Sequence, residues 1–170
     1  LNPSHPAYSK TLSILGLQLW FEGSLLEAKD VATRTVEVAE RTLRPDHPMT
    51  AKALRYLAGA TLDLGDLVEA RALMERALAI AERSLGPSHA DMWMYPNDLA
   101  GPTRLLGDYP TARRLLEQSL RIAEARFGPW HDSVATSVHN LALVDASLGD
   151  FARARREQAR AAAIWERVLG

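Results

Sequence analysis

A histidine returns every 42 residues in this chain, at His5, His47, His89 and His131. Imidazole binds metals and moves protons near neutral pH, so the column invites a metal or acid–base reading. Zinc ligands must gather around one ion at about 2.0–2.1 Å. Equivalent atoms of successive packed helices stand on the order of 10 Å apart. The column therefore cannot close on a metal, and each histidine is expected to pack or hydrogen-bond within its own turn. No Gly-rich phosphate loop follows a strand, and no Ser, His and Asp grouping carries the context of a nucleophilic site. Glu40 and Glu82 stand beside Arg41 and Arg83 near helix ends and read as a solvated face. The residues predict no catalytic group, no metal and no cofactor, and the chain reads as a non-enzyme.

Other positions keep the same step: Gly23, Gly65, Gly107 and Gly149; Ala28, Ala70, Ala112 and Ala154; Glu40, Glu82, Glu124 and Glu166. A fixed period of this size is the signature of a stacked repeat protein. Four repeats, about 1–42, 43–84, 85–126 and 127–168, fill nearly all of the 170 residues, which predicts a single array over 1–170. The start at Leu1 and the stop at Gly170, where a fifth repeat would open, suggest a segment cut from a longer array. With 47% hydrophobic and 24% charged residues, the chain can bury a core. A net charge of −1 gives no pull toward nucleic acid or an anionic membrane. Cysteine is absent, which fits a reducing, cytoplasmic setting. No apolar run approaches the roughly 18–20 residues of a membrane span.

Repeat 2 shows how one unit is built. It opens at Arg44-Pro45-Asp46-His47-Pro48, where Asp46 reads as a helix N-cap and Pro48 as a first-turn proline. Leu54, Leu57, Ala58 and Leu62 then recur at helical steps. Leu64-Gly65-Asp66 ends that helix, with glycine free to turn left-handed and Asp66 placed to cap the next. A second stripe, from Leu67 through Ala70, Met74, Ala77 and Ala81 to Leu85, stops at Gly86-Pro87. Turns are expected near 22–24, 44–48, 64–66, 86–90, 106–108, 128–132 and 148–150, giving eight helices.

The period, the helix–turn–helix unit and small-residue columns at Gly16/Ala58/Ala100/Ala142 and Ala28/Ala70/Ala112/Ala154 resemble the tetratricopeptide repeat (TPR) family. The 42-residue step, with Leu-Gly-Pro-Ser-His at 85–89 and Arg-Ala-Leu-Ala-Ile-Ala-Glu at 76–82, is similar to the kinesin-light-chain variety, which also occurs in bacterial multidomain signalling and ATPase proteins. The resemblance implies an all-α, right-handed α-solenoid of four helix pairs that binds protein or peptide partners.

Two places depart from the pattern. The first helix of repeat 3 carries Pro96, Gly101 and Pro102, and an interior proline costs about 3 kcal/mol. Either Pro96 is a first-turn proline and only Pro102 kinks the helix, or the break widens the groove or exposes Trp93 and Tyr95. In the last repeat, Glu157 and Gln158 fall where repeats 2 and 3 carry Leu73-Met74 and Leu115-Leu116. That polarity fits a terminal repeat as well as an ordinary variant one.

In the TPR family the first helices line a concave groove. The resemblance carries that role onto Lys10, Ser13, Leu17 and Trp20; Lys52, Arg55 and Gly59; Met94, Asn97, Gly101 and Arg104; and Thr136, His139 and Leu143. Four are fixed cations and none is an acid, which predicts an acidic, extended or short helical peptide ligand. Leu17, Trp20 and Met94 offer apolar contact. Asparagines typical of kinesin light chains remain only at Asn97 and Asn140, so no cargo specificity carries over. The rival reading is a structural or self-associating spacer that positions other domains of a larger signalling or ATPase protein. Another repeat would then cover the stripe Ala154, Ala161, Ile164, Trp165 and Val168.

Overall fold

The structure, a computed structural model, describes residues 6–44, 46–87 and 89–170; His5, Pro45 and Ser88 lie outside the described residues. Among the described residues the chain is all-α, without strands. Its helices are α1 (Pro6–Phe21), α2 (Leu25–Thr42), α3 (Pro48–Asp63), α4 (Leu67–Leu85), α5 (Met94–Leu105), α6 (Tyr109–Phe127), α7 (Asp132–Ser147) and α8 (Phe151–Leu169). A 3₁₀ turn, Ala90–Trp93, runs directly into α5. The turns fall where the recurring glycine, proline and cap residues place them.

The histidine column is a capping device. Nδ1 of His47, His89 and His131 each accepts the backbone N–H two residues on, from Met49, Asp91 and Ser133, at 3.1 Å. The first N–H groups of a helix have no partner within it, and the ring satisfies one of them. This corrects the reading of Asp46 as the cap of α3: His47 holds that position. Asp46 instead pairs with Arg83 at 2.7 Å, across from α4. At the second helices aspartate does cap. Asp66, Asp108 and Asp150 accept from the N–H groups of Glu69, Thr111 and Arg153. Gly65 precedes one such cap at φ 89°, a left-handed conformation that side chains resist.

The caps lead to a direct expectation. His131→Ala should lower stability by about 0.5–2 kcal/mol, the usual cost of losing an N-cap, whereas His131→Asp should restore most of it. Urea melts of the two variants check this.

The chain divides into two compact units, 1–86 and 87–170. In the first, α1 to α4 pack in order, each on the next. The small columns allow the close approach: Ala28, Ala58 and Ala70 are almost wholly buried. In the second, α5 to α8 repeat the arrangement, with Ala100, Ala112 and Ala142 in the same role. Ala123, Val134, Ala135, Val138, Ala161 and Ile164 form one buried cluster, with Trp165 packed against it. Ala154, Ala161 and Ile164 are therefore already covered within their own unit. They are not a bare stripe awaiting another repeat.

Repeat 3 has the least regular first helix. Pro96 sits in the first turn of α5, where its missing N–H costs nothing, and Pro102 lies inside the helix. The irregular start does not expose aromatics. Met92 and Tyr95 are buried, and Trp93 packs against the cluster. The Trp93 carbonyl accepts from Ser119 Oγ at 2.8 Å, which ties the 3₁₀ turn to α6.

Candidate functional site

Helical spacing puts the expected ligand-facing side chains on the first helices of each unit, α1 and α3 in one, α5 and α7 in the other. On α1, Lys10 is exposed, Leu17 and Trp20 are half-buried, and Ser13 is nearly covered at 9% exposure. On α3, Lys52 is exposed and Arg55 half-buried. Tyr56 joins these two cations: its ring centroid lies 5.0 Å from the Arg55 guanidinium carbon and 5.8 Å from Lys52 Nζ. Both fall within the range of cation–π attraction.

Trp20 bridges the two helices. Its indole N–H donates to Asp63 Oδ2 at 2.5 Å, and its ring occupies the space that a Cβ on Gly59 would need. A methyl built there would lie 2.7 Å from Cη2. The glycine is thus a seat for the ring. Trp20 ties α1, which carries Lys10 and Leu17, to α3, which carries Lys52, Arg55 and Tyr56. Lys10 and Lys52 have no ion pair among the described residues.

The second unit is organised differently. Asn97 is 93% covered, and its Oδ1 accepts from Asn140 Nδ2 on α7 at 3.1 Å. Its own amide donates to Asp98 at 3.0 Å. Met94 and Arg104 are half-buried on α5. His139 turns toward α8: Nδ1 lies 3.0 Å from Gln158 Nε2 and the ring sits 5.7 Å from that of Trp165. The cations of the candidate surface thus gather mainly in the first unit, while the second presents a hydrogen-bonded asparagine pair.

Sequence reading missed Tyr56 and Asp63, whose roles depend on which neighbour reaches them. It also missed a charged centre in the second unit. Asp145 is fully buried where the equivalent residues, Thr61 and Thr103, are neutral. Arg113 donates to its Oδ1 at 3.0 Å. Arg153 Nε stands 3.0 Å from Oδ2 but directs its N–H to Glu157 Oε1 at 3.1 Å. Asp145 Oδ2 and Glu157 Oε2 are left buried without a hydrogen-bond donor. Burial, and then the adjacent Glu157, push the Asp145 carboxyl up to about 6, against the pull of Arg113. No group of three or more His, Cys, Asp or Glu residues able to hold a metal occurs among the described residues. No helix among them is long and apolar enough to cross a membrane.

Among curated proteins none is significantly similar. Solved structures are. Nearly identical TPR-like repeats assigned to kinesin light chain, from Podosopora anserina and carrying a point substitution, superpose with a TM-score of 0.81 at 26% identity, covering 99% of this chain and 80% of theirs. BtubC (BKLC) from P. vanneervenii gives 0.80 at 23% identity, over 95% of this chain and 63% of that one. A Rap protein complexed with competence and sporulation factor gives 0.80 at 18% identity, over 92% and 42%. The last two likenesses concern the fold alone. The family model for the tetratricopeptide repeat matches residues 7–83 and 92–167. With helix pairs at a 42-residue step, turn glycines in phase and small residues in columns along both helices of the pair, this chain belongs to the tetratricopeptide-repeat family, and its repeats are of the kinesin-light-chain-like kind.

Proposed function

We propose that this chain is a non-enzymatic interaction module, working in the cytoplasm, that binds an acidic peptide segment on the first-helix face of its first unit. The observation that supports the reading is the pair of cations Lys52 and Arg55 set against the Tyr56 ring, on a helix joined by Trp20 to α1 with its exposed Lys10. Charges of one sign on one face attract an oppositely charged segment and speed its encounter. The aromatic and aliphatic groups supply the anchors that carry most of the affinity in such contacts. The solved Rap complex with competence and sporulation factor supports this use of the fold. The ligand is extended or a short helix, and its binding requires no cofactor. Met94, Asn97 and Arg104 on α5 and His139 on α7 are the corresponding candidate positions of the second unit.

Charge reversal tests the assignment. Lys52→Glu or Arg55→Glu should weaken an acidic peptide by roughly tenfold, about 1.4 kcal/mol. Arg121→Glu, an exposed change on a second helix, should leave binding within about twofold. Fluorescence anisotropy with one labelled peptide measures all three. Equal losses would move the site away from α1 and α3.

A second reading, self-association through a repeat end, is favoured by one residue. Leu15 is 43% exposed, whereas its equivalents Leu57, Leu99 and Leu141 are 6%, 5% and 3% exposed. This leucine on α1 offers apolar surface to a neighbouring copy, in keeping with a spacer role beside other domains.

A further inference from the structure

We propose that Trp165 is a built-in cap: with Gln158 and His139, it closes the face of α7 and α8 on which a further helix pair or the first helix of a second copy would stack. Ala39 and Ala123 are completely buried on helices against which the next first helix packs, α3 on α2 and α7 on α6. Ala123 lies in one cluster with Val134, Ala135 and Val138 of α7. A following helix therefore comes down directly on a methyl group at this position.

At position 165 the methyl is replaced by an indole. The ring is fixed along α7, its Nε1–H donating to Asp132 Oδ1 at 2.8 Å and its face tilted against His139. A helix approaching as α3 and α7 do would meet a ring where it needs a gap. Two neighbouring changes act in the same sense. Leu116 is fully buried, but its equivalent Gln158 is exposed and pairs with His139 at 3.0 Å. Leu120 packs against the cluster, whereas its equivalent Ala162 is exposed. Burying the Gln158 amide would break or strand a hydrogen bond, which costs about 1–3 kcal/mol. The small Ala162 leaves a following helix little to pack on.

This end therefore differs from the α1 end with its exposed Leu15. Head-to-tail stacking joins two different faces and grows without closing; a cap on one of them stops it. Contact through Leu15 pairs like with like and ends at a dimer.

Restoring the residues of the preceding repeat tests the cap. The triple variant Gln158→Leu, Ala162→Leu, Trp165→Ala should show an average mass in sedimentation equilibrium that climbs past the dimer with concentration. The unaltered protein should stay at the dimer or below over the same range. Growth of the unaltered protein past the dimer, or a triple variant no more associated than it, would overturn the proposal. A second measurement serves if the variant loses its helical circular dichroism. Because the chain has no cysteine, Ala162→Cys places one thiol on the capped face. Its maleimide labelling rate should be the same in dilute and concentrated protein, and protection that grows with concentration would contradict the cap.

Discussion

Arg113→Ala should destabilise the protein by on the order of 3 kcal/mol at pH 7.5, and by much less at pH 5. The reason is the company that Asp145 keeps. Its carboxylate is fully buried, and Arg113 is its hydrogen-bonded cation. Removing one partner of a buried pair leaves a charge with neither water nor counterion, and the usual cost is about 3–5 kcal/mol; Arg153 nearby moderates it. At pH 5 the carboxyl, pushed up to about 6, already carries a proton, so less charge is stranded. The same shift sets the sign for the unaltered protein. A carboxyl whose folded value lies above its ordinary 3.8 binds its proton more tightly in the fold than in the unfolded chain. Its stabilisation is fully present below about 3.8 and is lost as pH rises through about 6. Over that window stability should fall by roughly 1–3 kcal/mol from this group. Asp145→Asn should remove the slope, since an amide can donate to Glu157 and accept from Arg113 without ionising. Urea denaturation of the three proteins across pH 4–8 reads both effects. A slope that survives Asp145→Asn would assign it elsewhere.

Gly59→Val should cost about 1–3 kcal/mol, as overpacking does, even though a side chain ordinarily favours a helix over glycine. Its first carbon would stand 2.7 Å from the Trp20 ring, so the ring must leave its seat and its bond to Asp63. A double-mutant cycle isolates this cause. In a Trp20→Ala background the clash is gone, and Gly59→Val should be neutral or mildly stabilising. Additive losses would mean that the ring and the glycine do not meet. On the binding face proposed above, the displaced indole would also be lost as an anchor, so Gly59→Val should weaken the acidic peptide as well.

The frame was legible because the repeat writes each structural demand four times. A glycine before each second helix, an aspartate after it in three of the four repeats and a small residue at the packing columns are demands of backbone and packing, which recur with the backbone. The histidines were legible as turn residues and not as metal ligands, since spacing alone separates them. That His47 caps in place of Asp46 was not legible. Both side chains can accept from a helix N-terminus, and only the geometry of the turn decides between them. Asp145 was hidden for another reason. An acid in a threonine column looks like a surface variant until burial and the arrival of Arg113 from another helix are known. Trp165 was visible as an apolar residue on the last helix, but its role follows from the alanines that it replaces. The candidate binding face drew on family likeness for its positions. The structure sets the α3 cations Lys52 and Arg55 against Tyr56 and turns His139 toward α8.

The central claim, an acidic segment bound on the α1 and α3 face, is tested most directly by titrating the unaltered protein with two peptides alike except in charge. One carries several aspartates or glutamates around an aromatic or leucine anchor, and its partner has the matching amides. Both are measured by anisotropy at low and high salt. A Debye length of about 8 Å at physiological ionic strength, shrinking to about 3 Å at 1 M, sets the expected screening. The acidic peptide should bind more tightly at low salt, and its advantage should close as salt rises. Equal affinities at low salt, or preference for a basic peptide, would contradict the account.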